Sequence, residues 1–195
     1  MELLPNLRDK KISLASASPR RRELMGLLGI DFAVAPSVEV NEVYPDSLPA
    51  EEVPLFLSRL KAEGYRSIMT PDDLFITADT VVIIDDDVIG KPHDEADAAA
   101  MLGRLSGRRH TVVTGVTLST LDRMESFSVD TAVDFAPLTA EEIAFYVSRF
   151  RPLDKAGAYG IQEWIGAIGI KGIEGSFYNV MGLPVHRLWN ALRSF

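Results

Sequence analysis

The feature that most restricts this chain is the run from Leu74 to Ile84, apolar throughout except for Thr77, Asp79 and Thr80. Its length and its content of Ile, Val and Phe predict a β-strand. The turn Asp85-Asp86-Asp87 closes it, and Val88-Ile89 returns as a hairpin partner. A carboxylate inside such a run is expensive unless a metal, a cation or hydrogen-bond donors satisfy it. Asp79 therefore reads in two ways. It is a general base or a hard-metal ligand, or it is a strand-end residue that caps a neighbouring turn. Thr80, beside it, needs no role beyond that of a β-former.

The rest of the chain alternates strands with helices. Ile12–Ala15 reads as a short buried strand, and Ser18-Pro19 is a plausible N-cap and first helical position for a helix that ends at Gly29. A second strand is expected at Phe32–Ala35, followed by an acidic loop, Glu39–Asp46. Pro49–Gly64 reads as a helix with Val53, Phe56, Leu57 and Leu60 on one face; Pro54 is tolerable only near its first turn. Asp94–Leu105 is helical, Thr111–Leu118 and Phe127–Phe135 are β-rich, and Thr139–Glu142 is a capping box that opens another helix. Seven of the fourteen glycines fall between Gly157 and Gly182, and a closing helix covers about Val185–Leu192. Strands interleaved with helices indicate an α/β layer fold.

At 195 residues the chain fits one domain, or at most two lobes around a cleft, and needs no disulfide or structural zinc. With no cysteine, thiolate metal sites and thiol nucleophiles are excluded. The balance of 20 Lys+Arg against 28 Asp+Glu argues against binding to nucleic acid or to an anionic membrane. No apolar run approaches a membrane span and the start lacks a signal-peptide pattern, so a cytoplasmic protein is expected.

Five further segments could carry chemistry. Ser16-Ala-Ser18-Pro19-Arg20-Arg21-Arg22 joins a strand end to a helix start, where unpaired N–H groups, hydroxyls and guanidinium groups make an anion pocket. Taken alone, the same residues describe a capped helix with solvated arginines. Glu39, Glu42 and Asp46 form either a solvated loop or a source of one magnesium ligand. Lys61 either complements a helix dipole or serves the site, while Lys91, fixed between Gly90 and Pro92, suggests directed use. In Asp154-Lys-Ala-Gly-Ala-Tyr-Gly-Ile-Gln162, small residues allow close approach of a ligand and Gln162 can read a base edge; the alternative is a tight turn with a surface glutamine. His93, His110 and His186 are scattered and read as structural, and neither a P-loop nor a dinucleotide fingerprint is present.

In order and spacing, Leu14-Ala-Ser-Ala-Ser-Pro-Arg-Arg21, Ala78-Asp-Thr-Val81, Gly90-Lys-Pro92, Leu105-Ser-Gly107, Asp154 to Gln162 and Gly172 to Pro184 resemble the Maf family of nucleoside triphosphate pyrophosphatases. The resemblance covers nearly the whole chain and implies a single domain over residues 1–195. The implied fold is an α/β one, related to inosine triphosphatases, with a mixed, strongly twisted sheet flanked by helices in two lobes around a central cleft. It implies cleavage of a nucleoside triphosphate between its α and β phosphates, with Mg²⁺ or Mn²⁺ as cofactor. Asp79 matches the family's proton acceptor. Ser16, Arg20, Arg21, Lys61 and Lys91 match its phosphate grip, and Glu42 with Asp79 its metal site. Arg20, Thr80 and Gln162 match the branch acting on dTTP and UTP. Asn41 stands where an aspartate is common, and Glu163-Trp164 where many members continue with Gly, a change at the rim of the base pocket. Family members are often homodimers. A nucleotide-sensing regulator of cell division or septum formation, without turnover, is the alternative reading, and a simple phosphatase is a third.

Overall fold

The computed structural model describes residues 3–195. The apolar run forms strand β3 (Asp73–Ile84), buried at every position from Leu74 to Ala78 and again at Val81, Val82 and Ile84. A strand buried along both faces belongs inside a sheet with cover on each side. One sheet of seven strands runs in the order β2 (Ala33–Val34), β1 (Lys11–Leu14), β3, β5 (Arg109–Ser119), β6 (Met124–Phe135), β7 (Ile170–Glu174), and β4 (Asp87–Ile89) pairs with β3. β1 is parallel to β2 and β3, whereas β4 is antiparallel to β3 and β7 to β6, so the sheet is mixed. The pairing of Ile84 with Asp87 leaves Asp85 and Asp86 as a two-residue loop, both with positive φ, as a tight hairpin turn of the right twist requires.

Helix starts follow their caps. Ser18 Oγ accepts from Arg21 N at the start of α1 (Pro19–Gly26), and Asp94 accepts from Asp97 N at the start of α3 (Glu95–Leu105). The Thr139–Glu142 capping box forms at the head of α4 (Ala140–Phe150). α1 stops three residues short of Gly29, because Leu27, Leu28 and Gly29 turn through i→i−3 bonds rather than continue the helix. α2 spans Val53–Tyr65, after one 3₁₀ turn at Ala50–Glu52. Its buried positions are Val53, Pro54, Leu57, Ser58, Ala62 and Tyr65, while Phe56 and Leu60 are only half-buried. The inner face of α2 is therefore smaller and more polar than the apolar pattern predicts. The glycine-rich stretch is structured: it holds α5 (Trp164–Gly169), β7 and α6 (Phe177–Met181) before α7 (Val185–Ser194) closes the chain. None of the described helices is long and apolar enough to cross a membrane.

The chain packs as two compact units. The first comprises the residues through Asp79 with Thr114–Val129 and Gly182–Phe195; the second comprises Thr80–Val113 and Asp130–Met181. The first buries Leu14, Leu24, Met25, Leu74, Ile76 and Leu118, with Tyr65 and Phe75 edge to face at 5.4 Å. The second buries Leu102, Leu105, Phe135, Tyr146 and Ile165. There His110, Phe135 and Tyr159 form an aromatic triangle, and His110 Nε2 shares a 2.8 Å hydrogen bond with the Tyr159 hydroxyl. Desolvation pushes the His110 pKa down to about 4 against a weaker pull from Asp134, which fits its structural reading.

Candidate active site

In the first unit, α2 sets the geometry. Residues three apart on a helix share a face, as do residues two apart on a strand. Ser58, Lys61 and Gly64 make such a row on α2, and Thr77 and Asp79 make one on β3. Thr77 Oγ1 donates to Ser58 O at 2.7 Å, and Ser58 Oγ shares a 2.9 Å hydrogen bond with Thr117 Oγ1 of β5. Gly115 of β5 lets the head of the helix approach, since a Cβ there would lie 2.3 Å from Pro54 O. With helix and strand locked one turn earlier, the next pair along the row meets: Lys61 Nζ donates to Asp79 Oδ1 at 2.6 Å.

The acidic loop joins the same row. Gly64 is interior to α2 rather than its terminator, and a Cβ there would sit 2.6 Å from Val40 Cγ2. That contact seats Val40 on the helix, and two residues on Glu42 reaches Lys61 Nζ at 2.8 Å. Two carboxylates thus converge on one ammonium. Asp79 is 14% exposed at its side chain and Glu42 48%, so the cluster is open to solvent on the loop side. Asp79 is neither sealed in the core nor turned into bulk water.

The β1–α1 junction faces the same carboxylate. Arg21 Nη1 donates to Ala78 O, the residue before Asp79, at 2.8 Å, and Arg21 Nε donates to Gly182 O at 2.8 Å. Ser16 Oγ accepts from Ser18 N at 3.3 Å and lies 3.5 Å from Arg21 Nη1. Burial lowers the Arg21 pKa from its ordinary value; Asp79 and Glu42 oppose that shift and Arg20 adds to it. Arg21 is therefore a fixed guanidinium, its donors partly committed to main-chain carbonyls, whereas Arg20 is half-buried beside it and Arg22 is exposed.

Thr80, Lys91 and Gln162 belong to the second unit. Lys91 and Gln162 are exposed and Thr80 is half-buried. Lys91 has no carboxylate within ion-pair distance among the described residues, in contrast to Lys61. Gly157 N donates to Gly90 O at 3.0 Å, which ties the Lys91 turn to the segment carrying Gln162. Lys155, Tyr146 and Glu163 form a further network in this unit; Lys155 lies in the Asp154–Gln162 segment and Glu163 directly follows it, whereas Tyr146 carries no signal in the sequence as a site. Lys155 is buried and its Nζ lies 2.8 Å from Asp154 Oδ1 and 3.1 Å from Glu163 Oε1. Tyr146 donates to Glu163 Oε2 and accepts from Gly160 N at 3.0 Å.

Among the described residues no three His, Asp or Glu side chains gather as a metal cluster. The Glu42–Asp79 pair is nonetheless a hard-oxygen donor set. Magnesium is commonly held by one or two carboxylates together with substrate phosphates, and manganese accepts the same oxygen ligands, so the residues present fit such an ion.

Comparison with known proteins agrees over almost the full chain. The family model described as Maf-like protein matches residues 11–195. A dTTP/UTP pyrophosphatase of Phocaeicola vulgatus is 54% identical over 191 residues, which is 98% of this chain and 99% of that protein. The protein of the same name from Porphyromonas gingivalis W83 is 55% identical over 195 residues, 99% of this chain and 98% of its own. Among solved structures, the Staphylococcus aureus Ham1 protein superposes with a TM-score of 0.57 at 18% identity, covering 95% of this chain and 99% of its own. That likeness speaks to the fold alone.

Proposed function

Because the chain belongs to the Maf-like protein family, we propose that it hydrolyses dTTP and UTP to the nucleoside monophosphate and pyrophosphate. The names of its relatives support the substrate. The convergence of Asp79 and Glu42 on Lys61, beside the anchored Arg21, supports the chemistry. In this reading Asp79 takes a proton from water as its oxygen bonds to the α phosphorus. The bond from that phosphorus to the bridging oxygen breaks, and the electron pair leaves with pyrophosphate. Lys61, Arg20 and Arg21 stabilise the negative charge that builds on the polyphosphate, with Ser16 as a further donor, and the family resemblance adds Lys91 to this set. Most of the rate in phosphoryl transfer comes from such positioning and electrostatics. Arg20, Thr80 and Gln162 serve selection of the pyrimidine nucleotide.

Glu42 and Asp79 would hold a divalent cation, with substrate oxygens completing its shell. When bound, such an ion neutralises phosphate charge and acidifies a coordinated water. Lys61 keeps the two carboxylates together, so the donor pair is assembled in advance.

The test is a panel of canonical and modified triphosphates with Mg²⁺, Mn²⁺ or EDTA, measuring pyrophosphate and orthophosphate separately. Pyrophosphate from dTTP and UTP, absent with EDTA and restored by either metal, is the expected result. Orthophosphate release would identify a phosphatase. Nucleotide binding without turnover would identify a sensor, and activity confined to purine nucleotides would overturn the pyrimidine assignment.

A further inference from the structure

The polar network beneath Gln162 has no part in the chemistry above. Its members are a cation, an anion and a phenol. Lys155 is buried, with only 9% of its side chain exposed, and its ammonium lies between Asp154 and Glu163. Glu163 uses its second oxygen to accept from the Tyr146 hydroxyl, and Tyr146 is fully buried. The same hydroxyl accepts from the amide of Gly160, two residues before Gln162. Packing allows no slack there: a Cβ on Gly160 would lie 2.9 Å from both Gln162 Nε2 and Glu163 Cδ. Desolvation, reinforced by the bond to Glu163, raises the Tyr146 pKa, so the phenol stays protonated and keeps donating at any pH an assay would use.

We infer that Glu163, held by Lys155 and Tyr146, is a positioning residue for substrate selection, fixing the Gly160–Gln162 backbone from which Gln162 reads the base. This rests on the proposed pyrimidine triphosphate pyrophosphatase activity and deepens it. Gln162 is exposed, with its side-chain amide lying over Gly160. The backbone on either side of it is held by Tyr146 at Gly160 and by the ionic contact of Glu163. A side chain that reads a base edge discriminates only as well as its own position is defined, since a hydrogen bond weakens steeply once its distance and angle depart from the favoured range.

The experiment uses the full chain and four variants: Tyr146→Phe, Glu163→Gln, Glu163→Ala and the double variant Tyr146→Phe/Glu163→Ala. For each, kcat and KM are measured with dTTP, UTP and dCTP, alongside thermal unfolding. Tyr146→Phe and Glu163→Ala are expected to raise KM for dTTP and UTP about tenfold, the usual effect of losing a hydrogen-bonded charged partner, with kcat within about twofold of wild type. Discrimination against dCTP should narrow by the same factor, and the double variant should be no worse than either single one, as a shared network requires. Glu163→Gln, which keeps the acceptor for Tyr146, should recover part of the loss and serves as the folded variant if Glu163→Ala does not fold. Folded variants with wild-type preference for dTTP and UTP over dCTP, or a fall in kcat equal for all three substrates, would overturn the positioning role. A wild-type protein that releases no pyrophosphate from any of them overturns instead the activity on which the role rests.

Discussion

Lys61 and Lys155 are each held between two carboxylates, one lysine in each compact unit. Lys61 meets Asp79 at 2.6 Å and Glu42 at 2.8 Å; Lys155 meets Asp154 at 2.8 Å and Glu163 at 3.1 Å. What differs is how the carboxylates end. Glu42 sits on a loop without regular structure and is half exposed, so oxygens of the Lys61 cluster still face outward. Glu163 spends its remaining oxygen on Tyr146, whose hydroxyl is in turn taken up by Gly160. Each cluster keeps one exposed carboxylate, Glu42 at 48% and Asp154 at 57%, so the contrast lies in the buried one: Glu163 has both oxygens taken up, whereas Asp79 uses Oδ1 for Lys61. A carboxylate with an open oxygen can bind something more; one with both oxygens taken up holds the chain in place. The same charge pattern thus serves chemistry in one unit and architecture in the other.

That contrast breaks most sharply at Asp79. Asp79→Asn keeps the size of the side chain and its place in β3 but removes the proton acceptor. We expect a loss of turnover of ~10²-fold or more, typical for removing a general base, with thermal unfolding close to wild type. Pyrophosphate release in a continuous assay checks the first, and a melting curve the second. An active Asp79→Asn protein would make the Lys61 cluster architectural too, and the difference between the units would disappear.

Replacing the two lysines tests the comparison directly. Lys155→Met leaves Glu163, 20% exposed, without its cation and should destabilise the protein by about 2–4 kcal/mol, towards the range for breaking a buried ion pair. Lys61→Met leaves Asp79, only 14% exposed, without its cation and should cost a similar amount, but it should also lower kcat/KM by at least ~10-fold through lost charge stabilisation. Urea unfolding at pH 7 and steady-state kinetics on both variants separate the effects. Equal losses of kcat/KM at the two positions would contradict the assignment.

Asp79 is legible in the sequence because it interrupts a local pattern, whereas Glu42 is singled out within its acidic loop only by the family resemblance. Asp79 breaks an apolar run, Ser18-Pro19 announces a helix start beside three arginines, and Lys61 sits near a helix end. The sheet and its helices are legible for the same reason, since caps and periodicity act within a few residues. What assembles the cluster is not legible. Thr77 bonding Ser58, Gly115 admitting Pro54 and Gly64 admitting Val40 join residues 19 to 61 positions apart, and a small residue alone does not say what will lie against it. Gly64 even looks like a helix terminator, although α2 continues past it to Tyr65. The Lys155 network is hidden more deeply. Tyr146 reads as part of an amphipathic helix, and nothing in its spacing points to Glu163.

A further group, His110, sharpens the view that the buried polar side chains of the second unit serve stability. His110 is neutral in the fold, with its pKa near 4, against about 6.5 when unfolded. A depressed histidine means that the unfolded state binds the extra proton more readily, so stability is fully present above about pH 6.5 and declines as pH falls towards 4. Between pH 7 and pH 5 this one group should remove about 2 kcal/mol. Urea titrations at the two pH values check the loss, and His110→Gln should flatten the pH dependence although it lowers stability at pH 7. An unchanged slope in the variant would place the acid sensitivity elsewhere.

The smallest expected effect is also the most selective. Gly64 lies in the interior of α2 with ordinary helical geometry, so alanine there should favour the helix by up to ~1 kcal/mol. The added methyl, however, would come within 2.6 Å of Val40 Cγ2, and the β-branched valine has little freedom to turn away. The loop must lift, and Glu42, two residues on, moves with it away from Lys61. Gly64→Ala should therefore leave unfolding free energy within about 1 kcal/mol of wild type, gain and strain nearly cancelling. Its kcat/KM should fall roughly threefold to tenfold, with an increased concentration of Mg²⁺ needed for half-maximal rate, since one of two candidate carboxylate ligands is displaced. Trimming Val40 to alanine in the same chain makes room for the methyl and should restore the metal response. If Gly64→Ala alone keeps both the rate and the Mg²⁺ dependence, Glu42 does not belong to the working site, and Asp79 with its cations carries the chemistry without it.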